Sequence, residues 1–346
     1  MKFFAGLDVS LKEIAICVVD EAGEVVARGS VLTCPEAVAA WFEKQSISPD
    51  RVIHESGQLS IWLQRGFMKL GLSAYCVDAR KAHKSLSARP NKSDASDAEG
   101  LAQLARTGWF TPIHIRSEEA DRLRTLIGAR ERLIRLRKDL EGHIRGVLKT
   151  FGIRMHGVAK GRLRQGFRDG LIAAGETDPV LAAIADGFVL AHETLCRAAD
   201  DINRALTKRA RSSDVARRLM TVPGVGPIVA LNFMALIDDP NRFRRTANVG
   251  AFLGLTPRRY QSGEMDWSGR ISKSGDSTMR SLLFEAASSL IRRVRRFSPL
   301  KSWAVRLSGR RGVRKAAVAS ARKIAVLMLT LWKNGTDFQW TKEAAS

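Results

Sequence analysis

Cysteine is scarce in this 346-residue chain, and histidine is missing from a long stretch of it. The four cysteines, Cys17, Cys34, Cys76 and Cys196, are scattered with no CxxC spacing. That argues against a zinc site or a disulfide framework and fits a reducing bacterial cytoplasm. No histidine falls between residues 193 and 346, so that region holds no local Ser–His pair for nucleophilic catalysis. Acidic residues are outnumbered, 35 Asp plus Glu against 57 Lys plus Arg, for a formal charge of +22. Long uninterrupted apolar runs are absent too. The start, MKFFAGLDVS, meets an aspartate too early for a signal-peptide core. The most apolar stretch near the C-terminus, KAAVASARKIAVLMLTLW, contains Arg322 and Lys323 and reads as a buried helix, with no membrane expected as a partner.

What is present describes a folded protein: 45% of residues are hydrophobic and 27% charged. The length suits roughly two or three domains. A basic excess of this size says little about fold but points to a polyanionic partner. Nucleic acid comes first, because neutralising phosphates releases counterions; an acidic membrane surface is the competing reading.

Along the chain, FFAGLD (3–8) is a short apolar run ending in an acid, and IAICVVDEAGEVVARGSV follows as a hairpin around Ala22-Gly23. Residues 35–45 read as a helix, RVIHES (51–56) as a strand, LSIWLQRGFMKLG as a helix and SAYCVDA as a strand, with helix continuing to about Gly108. This alternation predicts a mixed sheet flanked by helices. From Glu118 the pattern changes. Leu126, Leu133, Leu140 and Val147 recur every seven residues with Leu123 and Ile144 beside them, and Leu181, Phe188, Leu195 and Ile202 form a second series with Ile184 and Leu206. Two heptad-like helices separated by a Gly-rich basic stretch (152–170) predict a helical hairpin or coiled coil. The arginines of its first helix, among them Arg122, Arg130 and Arg137, form either a solvated or a phosphate-tracking face.

Near Arg217 a third region begins. In LMTVPGVGPIVALNFMALI a Pro-Gly-Val-Gly turn joins helical stretches in the manner of a helix–hairpin–helix. There Gly224 and Gly226 either bring backbone amides to a phosphate or serve only a tight turn. A Gly/Ser-rich, arginine-containing loop region, NVGAFLGLTPRRYQSGEMDWSGRISKSGD, then leads into a helix. The expected divisions are 1–115, 116–212 and 213–346.

The acids stand out against this basic background. In NKSDASDAEGLAQLA, Asp94 and Asp97 lie three positions apart at the start of a helix and so share a face. Asp8 ends the first strand and Glu55 nearly ends RVIHES. Acids at strand ends, with a helix packed over them, can converge on one edge of a sheet. Four carboxylates brought together stay ionised only around a cation, and Mg2+ favours such oxygen ligands. Singly, each acid has a plainer reading as a turn residue or helix cap. His54 is expected to face away from Glu55 by strand alternation.

The set GLDVS, IHES and NKSDASDAEGLA resembles the RuvC-like, ribonuclease-H-fold domain of one group of bacterial insertion-sequence transposases, and VPGVGPIVA with GAFLGLTPRRYQSG resembles the domain that follows it. The likeness runs in order over nearly the whole chain. It points to the DEDD serine recombinases of insertion sequences, relatives of pilin-gene DNA invertases. The resemblance implies that Asp8, Glu55, Asp94 and Asp97 bind divalent metal and that Ser262, in RRYQSG, is the nucleophile. It also implies an element-encoded guide RNA that pairs with double-stranded donor and target DNA, and a homodimer assembling to a tetramer. With no local histidine, a metal site delivered by the RuvC-like domain would activate Ser262. Arg258 and Arg259 would brace the scissile phosphate, with Gly263 giving a tight backbone beside the serine. Gly224, Gly226, Tyr260, Arg270 and Lys273 join these arginines as expected nucleic-acid contacts. Tyr260 is read as packing or DNA contact, and Trp267 either stacks on a base or packs in a loop. The rival expectation is a junction-resolving endonuclease using the same acids and metal-activated water.

Overall fold

The computed structural model describes residues 1–80, 82, 94–155, 163–262 and 265–340. Lys92 and Gly263 lie outside the described residues, as do the side chains of Asp94 and Ser262. The chain divides into two compact units, Met1–Arg116 and Ser117–Ser346.

The first unit is built on five strands, β1 (Phe4–Val9), β2 (Glu13–Val19), β3 (Val25–Leu32), β4 (Arg51–Glu55) and β5 (Ala74–Val77), in the order β3-β2-β1-β4-β5. The first three pair antiparallel, while β4 runs parallel to β1 and β5 parallel to β4. This mixed order fits a ribonuclease-H-like fold. The β2–β3 turn closes where expected: Gly23 adopts φ +92°, and the Asp20 carboxylate accepts from the amides of Gly23 and Glu24.

Strand alternation gives the sheet two apolar faces. Ala5, Leu7 and Val52 pack with Val38 of α1 (Pro35–Lys44) and with Leu63 and Phe67 of α2 (Ser60–Lys69). Phe4 and Ile53 pack with Ala98, Leu101, Ala102 and Ala105 of α3 (Asp94–Thr107). Gly6 sits at the closest approach, where an added Cβ would overlap the Ala98 carbonyl and the Ala102 amide. A residue with no side chain is what lets α3 lie backbone-to-backbone on β1.

In the second unit, α4 (Glu118–Thr150) and α6 (Pro179–Ser212) are long paired helices, each capped by a side chain of the preceding residue, Ser117 and Asp178. The stretch expected to be merely Gly-rich instead carries a helix, α5 (Leu163–Gly175), because Phe167, Leu171 and Ala174 recur on one face and bury against Ile144, Leu148 and Leu181. The seven-residue stripe is also displaced. Leu126 is exposed, and Leu123 and Ile127 are the buried residues there. The reason is that α4 serves two cores, one with α5 and α6 and another that joins Leu123, Ile127 and Leu206 to Phe233, Leu283 and Met328.

That second core is made by α7 (Asp214–Met220), α8 (Pro227–Ile237), α9 (Asn248–Phe252), α10 (Ser277–Arg292), α11 (Pro299–Arg311) and α12 (Val313–Asn334). The C-terminal apolar stretch is the buried helix α12, as its sequence predicts. The expected loop region after α9 is not a loop. It folds into an antiparallel hairpin of β6 (Pro257–Ser262) and β7 (Met265–Ile271), closed by the Tyr260–Trp267 cross-strand pair. Among the described residues, the helix long and apolar enough by length and composition to cross a bilayer is α6, not α12. Its most apolar 18-residue window has mean hydropathy 1.3 and is only 22% buried.

Candidate active site

The acid positions are organised by β1, β4 and α3. In the parallel β1–β4 register Leu7 faces His54, so Asp8 and Glu55 follow as neighbours at the carboxyl ends of adjacent strands, about 4.8 Å apart in the backbone. Phe4 and Ile53 point to the α3 face, and alternation carries Asp8 and Glu55 to that same face. The direction of α3 is fixed by its contacts. Arg51, at the amino end of β4, donates from Nη1 to the Ala105 carbonyl at 2.9 Å, while Gly6 lies under Ala98. The helix therefore runs antiparallel to the two strands, with its first turn over their carboxyl ends. Asp94 opens that turn and Asp97 follows one position before buried Ala98. Asp8, Glu55 and Asp97 are all half-buried.

The helix start itself favours carboxylates, since its unpaired amides and dipole are positive there. Farther along α3, Glu99 turns away and pairs with Arg28 of β3. Among the described residues, no three Asp, Glu, His or Cys side chains come together tightly enough to hold a metal ion. The donors at this edge are all hard carboxylate oxygens, which suit a magnesium-like cation. Asp8, Glu55 and Asp97 are all described, and by themselves they do not form a group tight enough to hold a metal ion.

His54 does face away from this edge. It is fully buried on the α2 side, with Nε2 2.9 Å from Gln64 Oε1, and Gln64 in turn donates to the Ala74 carbonyl. Burial holds its pKa below the usual 6.5, against the partial opposition of the hydrogen bonds to Gln64 and the Glu55 carbonyl. Burial likewise pushes the Cys76 thiol up to about 11, with the Ser60 hydrogen bond opposing and the charge of Glu55 adding to the rise. Neither group is poised as a base or a nucleophile near neutral pH.

In the second unit, Ser262 is the last residue of β6, opposite Met265. The hairpin forms one wall of a groove of about 2200 Å³ whose other wall is α12. Arg258, Arg270 and Lys273 enter it from the hairpin and its end, and Arg314, Lys315, Arg322 and Lys323 from α12. No aspartate or glutamate is among its described lining residues. Arg258 is steadied by a 3.2 Å bond to the Ser272 carbonyl. Arg259, next along β6, does not line the groove, so the two arginines do not act side by side on it. Gly224 does not reach it either. With φ +88° it packs where a Cβ would overlap the Ala286 carbonyl of α10, so close helix contact accounts for it. Gly226 caps α8.

Of the expected nucleic-acid contacts, Arg258, Tyr260, Arg270 and Lys273 line this groove; the sequence showed Arg314, Lys315, Arg322 and Lys323 as basic residues but did not assign them to it, nor Trp303, whose ring lies 3.9 Å under Lys323 Nζ. A signal existed. Arg314 and Arg322, like Lys315 and Lys323, are eight apart on an otherwise apolar helix and so fall on one stripe.

Two family models match this chain in order: a DEDD-type transposase model of the IS110 group over residues 5–153, and one described as transposase IS116/IS110/IS902 family over residues 216–301. The transposase for insertion sequence element IS1111A of Coxiella burnetii is 29% identical over 331 residues, covering 94% of this chain and 88% of its own. The putative transposase y4pF/y4sB of Sinorhizobium fredii is 33% identical over 257 residues, covering 72% and 64%. A probable family 20 transposase of Pseudomonas aeruginosa is 29% identical, covering 72% and 74%. T. thermophilus RuvC, solved in complex with Holliday junction substrate, aligns with 33% of this chain and 100% of its own at 16% identity and a TM-score of 0.25, too slight a likeness to bear on the fold.

Proposed function

The chain belongs to the IS116/IS110/IS902 family of transposases, enzymes that recombine DNA, and from that premise we propose that it cuts and rejoins strands by transesterification at Ser262, with Asp8, Glu55, Asp94 and Asp97 holding Mg2+. The observation that carries this reading is the backbone arrangement at one sheet edge. Two neighbouring strand ends each supply a carboxylate, and the first turn of α3 lies over them. A divalent cation bound there would offset charge on a phosphate oxygen and lower the pKa of an attacking hydroxyl.

The chain's own groups have separable tasks. Asp8 and Glu55 sit on strands, and Gly6 lets α3 pack directly on β1, so that Asp94 and Asp97 would join them around the cation. Arg258 neutralises a phosphate beside the serine. The Ser262 oxygen attacks phosphorus as its proton leaves; the bond to the 3′ oxygen breaks, and that oxygen takes up a proton to become a free 3′-hydroxyl. The 5′-phosphoserine link is later opened by the 3′-hydroxyl of another strand, with no net hydrolysis. We extend the proposal to an element-encoded guide RNA, for which the basic helix α4 supplies surface, and to a homodimer that pairs into a tetramer. Exposed Val180 and Leu190 on α6 support such assembly.

The test is incubation of the protein with magnesium, RNA transcribed from the flanking element, and labelled DNA, read on denaturing gels. Protein should become attached to DNA, and Ser262→Ala should abolish the adduct while leaving DNA binding intact. An adduct that persists in that variant contradicts the role of Ser262. Cleavage that survives without attached protein would instead mark hydrolysis by metal-activated water.

A further inference from the structure

The groove between the β6–β7 hairpin and α12 has features that phosphate binding alone does not require. Its charge is one-sided, with seven Lys and Arg side chains and no described acid. Like charges gathered in one concave surface focus a positive potential that a polyanion satisfies. Its volume, about 2200 Å³, is well beyond the roughly 300–1,000 Å³ of a small-molecule pocket. Its wall also carries an aromatic platform. Tyr260 and Trp267 stack with ring centroids 4.7 Å apart at 18°, yet they remain 49% and 57% exposed.

Exposed, co-stacked rings have an apolar face to offer. In a duplex the base faces are hidden in the stack, so a duplex would cover the cations and leave the rings without a partner. An unpaired strand presents both phosphates and bare base faces. Position 262 ends the strand that carries Tyr260, so a strand lying along the hairpin would run toward the serine.

We infer that this groove takes an unpaired DNA strand, with a base stacking on the Tyr260–Trp267 platform and phosphates on the α12 cations. The inference rests on the proposed DNA chemistry for the choice of DNA, but it concerns binding alone.

The test uses the full chain with metal chelated, so that its failure is distinguishable from failure of the Ser262 reaction. Labelled oligothymidylate, a duplex of equal length and oligouridylate are titrated in turn. Wild type should bind oligothymidylate most tightly. Trp267→Ala should weaken that binding by roughly fivefold to a hundredfold and leave duplex binding within about twofold, whereas Trp267→Phe, which keeps a stacking face, should restore most of it. Circular dichroism of each variant separates lost stacking from a misfolded hairpin. Duplex bound more tightly than oligothymidylate, oligouridylate preferred over both, or a folded Trp267→Ala that binds like wild type would each overturn the inference.

Discussion

The two candidate surfaces of this protein are chemical opposites. In the Met1–Arg116 unit, acid positions fall at the carboxyl ends of β1 and β4 and at the start of α3. In the Ser117–Ser346 unit, a groove gathers seven cations with no described acid among them. Elsewhere the molecule mixes its charges, as in the Arg28–Glu99, Arg124–Asp276 and Arg209–Glu119 pairs. Segregation at these two places is therefore local. The acid positions suit a cation, and the groove's cations suit a polyanion. Under the proposed function, a divalent cation would complement the first surface and DNA the second.

The contrast can be broken at the acids first. Asp8→Asn or Asp97→Asn should reduce strand transfer by more than the roughly 10–100-fold typical of changing an outer-shell partner of a metal, while oligonucleotide binding to the groove stays unchanged. Gel assays of cleavage and filter binding on the same preparations check the separation. Loss of both activities together would mean that the two surfaces are not independent.

Two glycines sharpen the comparison next, because each seats a helix in its own unit. Gly6→Ala forces a Cβ into the α3 backbone, and Gly224→Ala forces one into α10 at a positive φ. Each should lower stability by at least about 1–3 kcal/mol, read from urea unfolding. Only Gly6→Ala should also weaken metal binding.

The groove cations come third. Arg322→Ala or Arg314→Ala should weaken nucleic-acid binding modestly and lower its salt slope by about 0.7–0.9 per cation. An unchanged slope would mean that these side chains touch no phosphate.

The smallest effect belongs to His54. Burial keeps it neutral, with its folded pKa below 6.5. As pH falls past the unfolded value, the unfolded chain takes up a proton that the folded unit refuses. The stability contributed by neutral His54 is complete above that value and is lost progressively below it, by at most about 1.4 kcal/mol per pH unit. Urea midpoints should fall more steeply with acidification in wild type than in His54→Gln.

Much of the first unit was legible because its strands are apolar runs with clear ends, and because Asp94 and Asp97 share a helix face by spacing alone. The hairpin of the second unit was not. PRRYQS and MDWSGRI are rich in residues typical of turns and charged surfaces, and they become strands through a cross-strand pairing, Tyr260 with Trp267, that local composition does not reveal. Helix α5 was hidden in the same way, by Gly166 and Gly170 among its arginines. Along α4 a single heptad stripe failed because two different cores call on different residues of one helix. The α12 cations went unassigned because a strand pair remote in sequence makes the opposite wall.

The central claim is that the four acid positions act as one cation site, and manganese binding followed by electron paramagnetic resonance tests it most directly. Full-length wild type should take up the ion, and Asp8→Asn and Asp94→Asn should each lose that uptake with their circular dichroism unchanged. Folded variants that bind manganese as tightly as wild type would contradict the account.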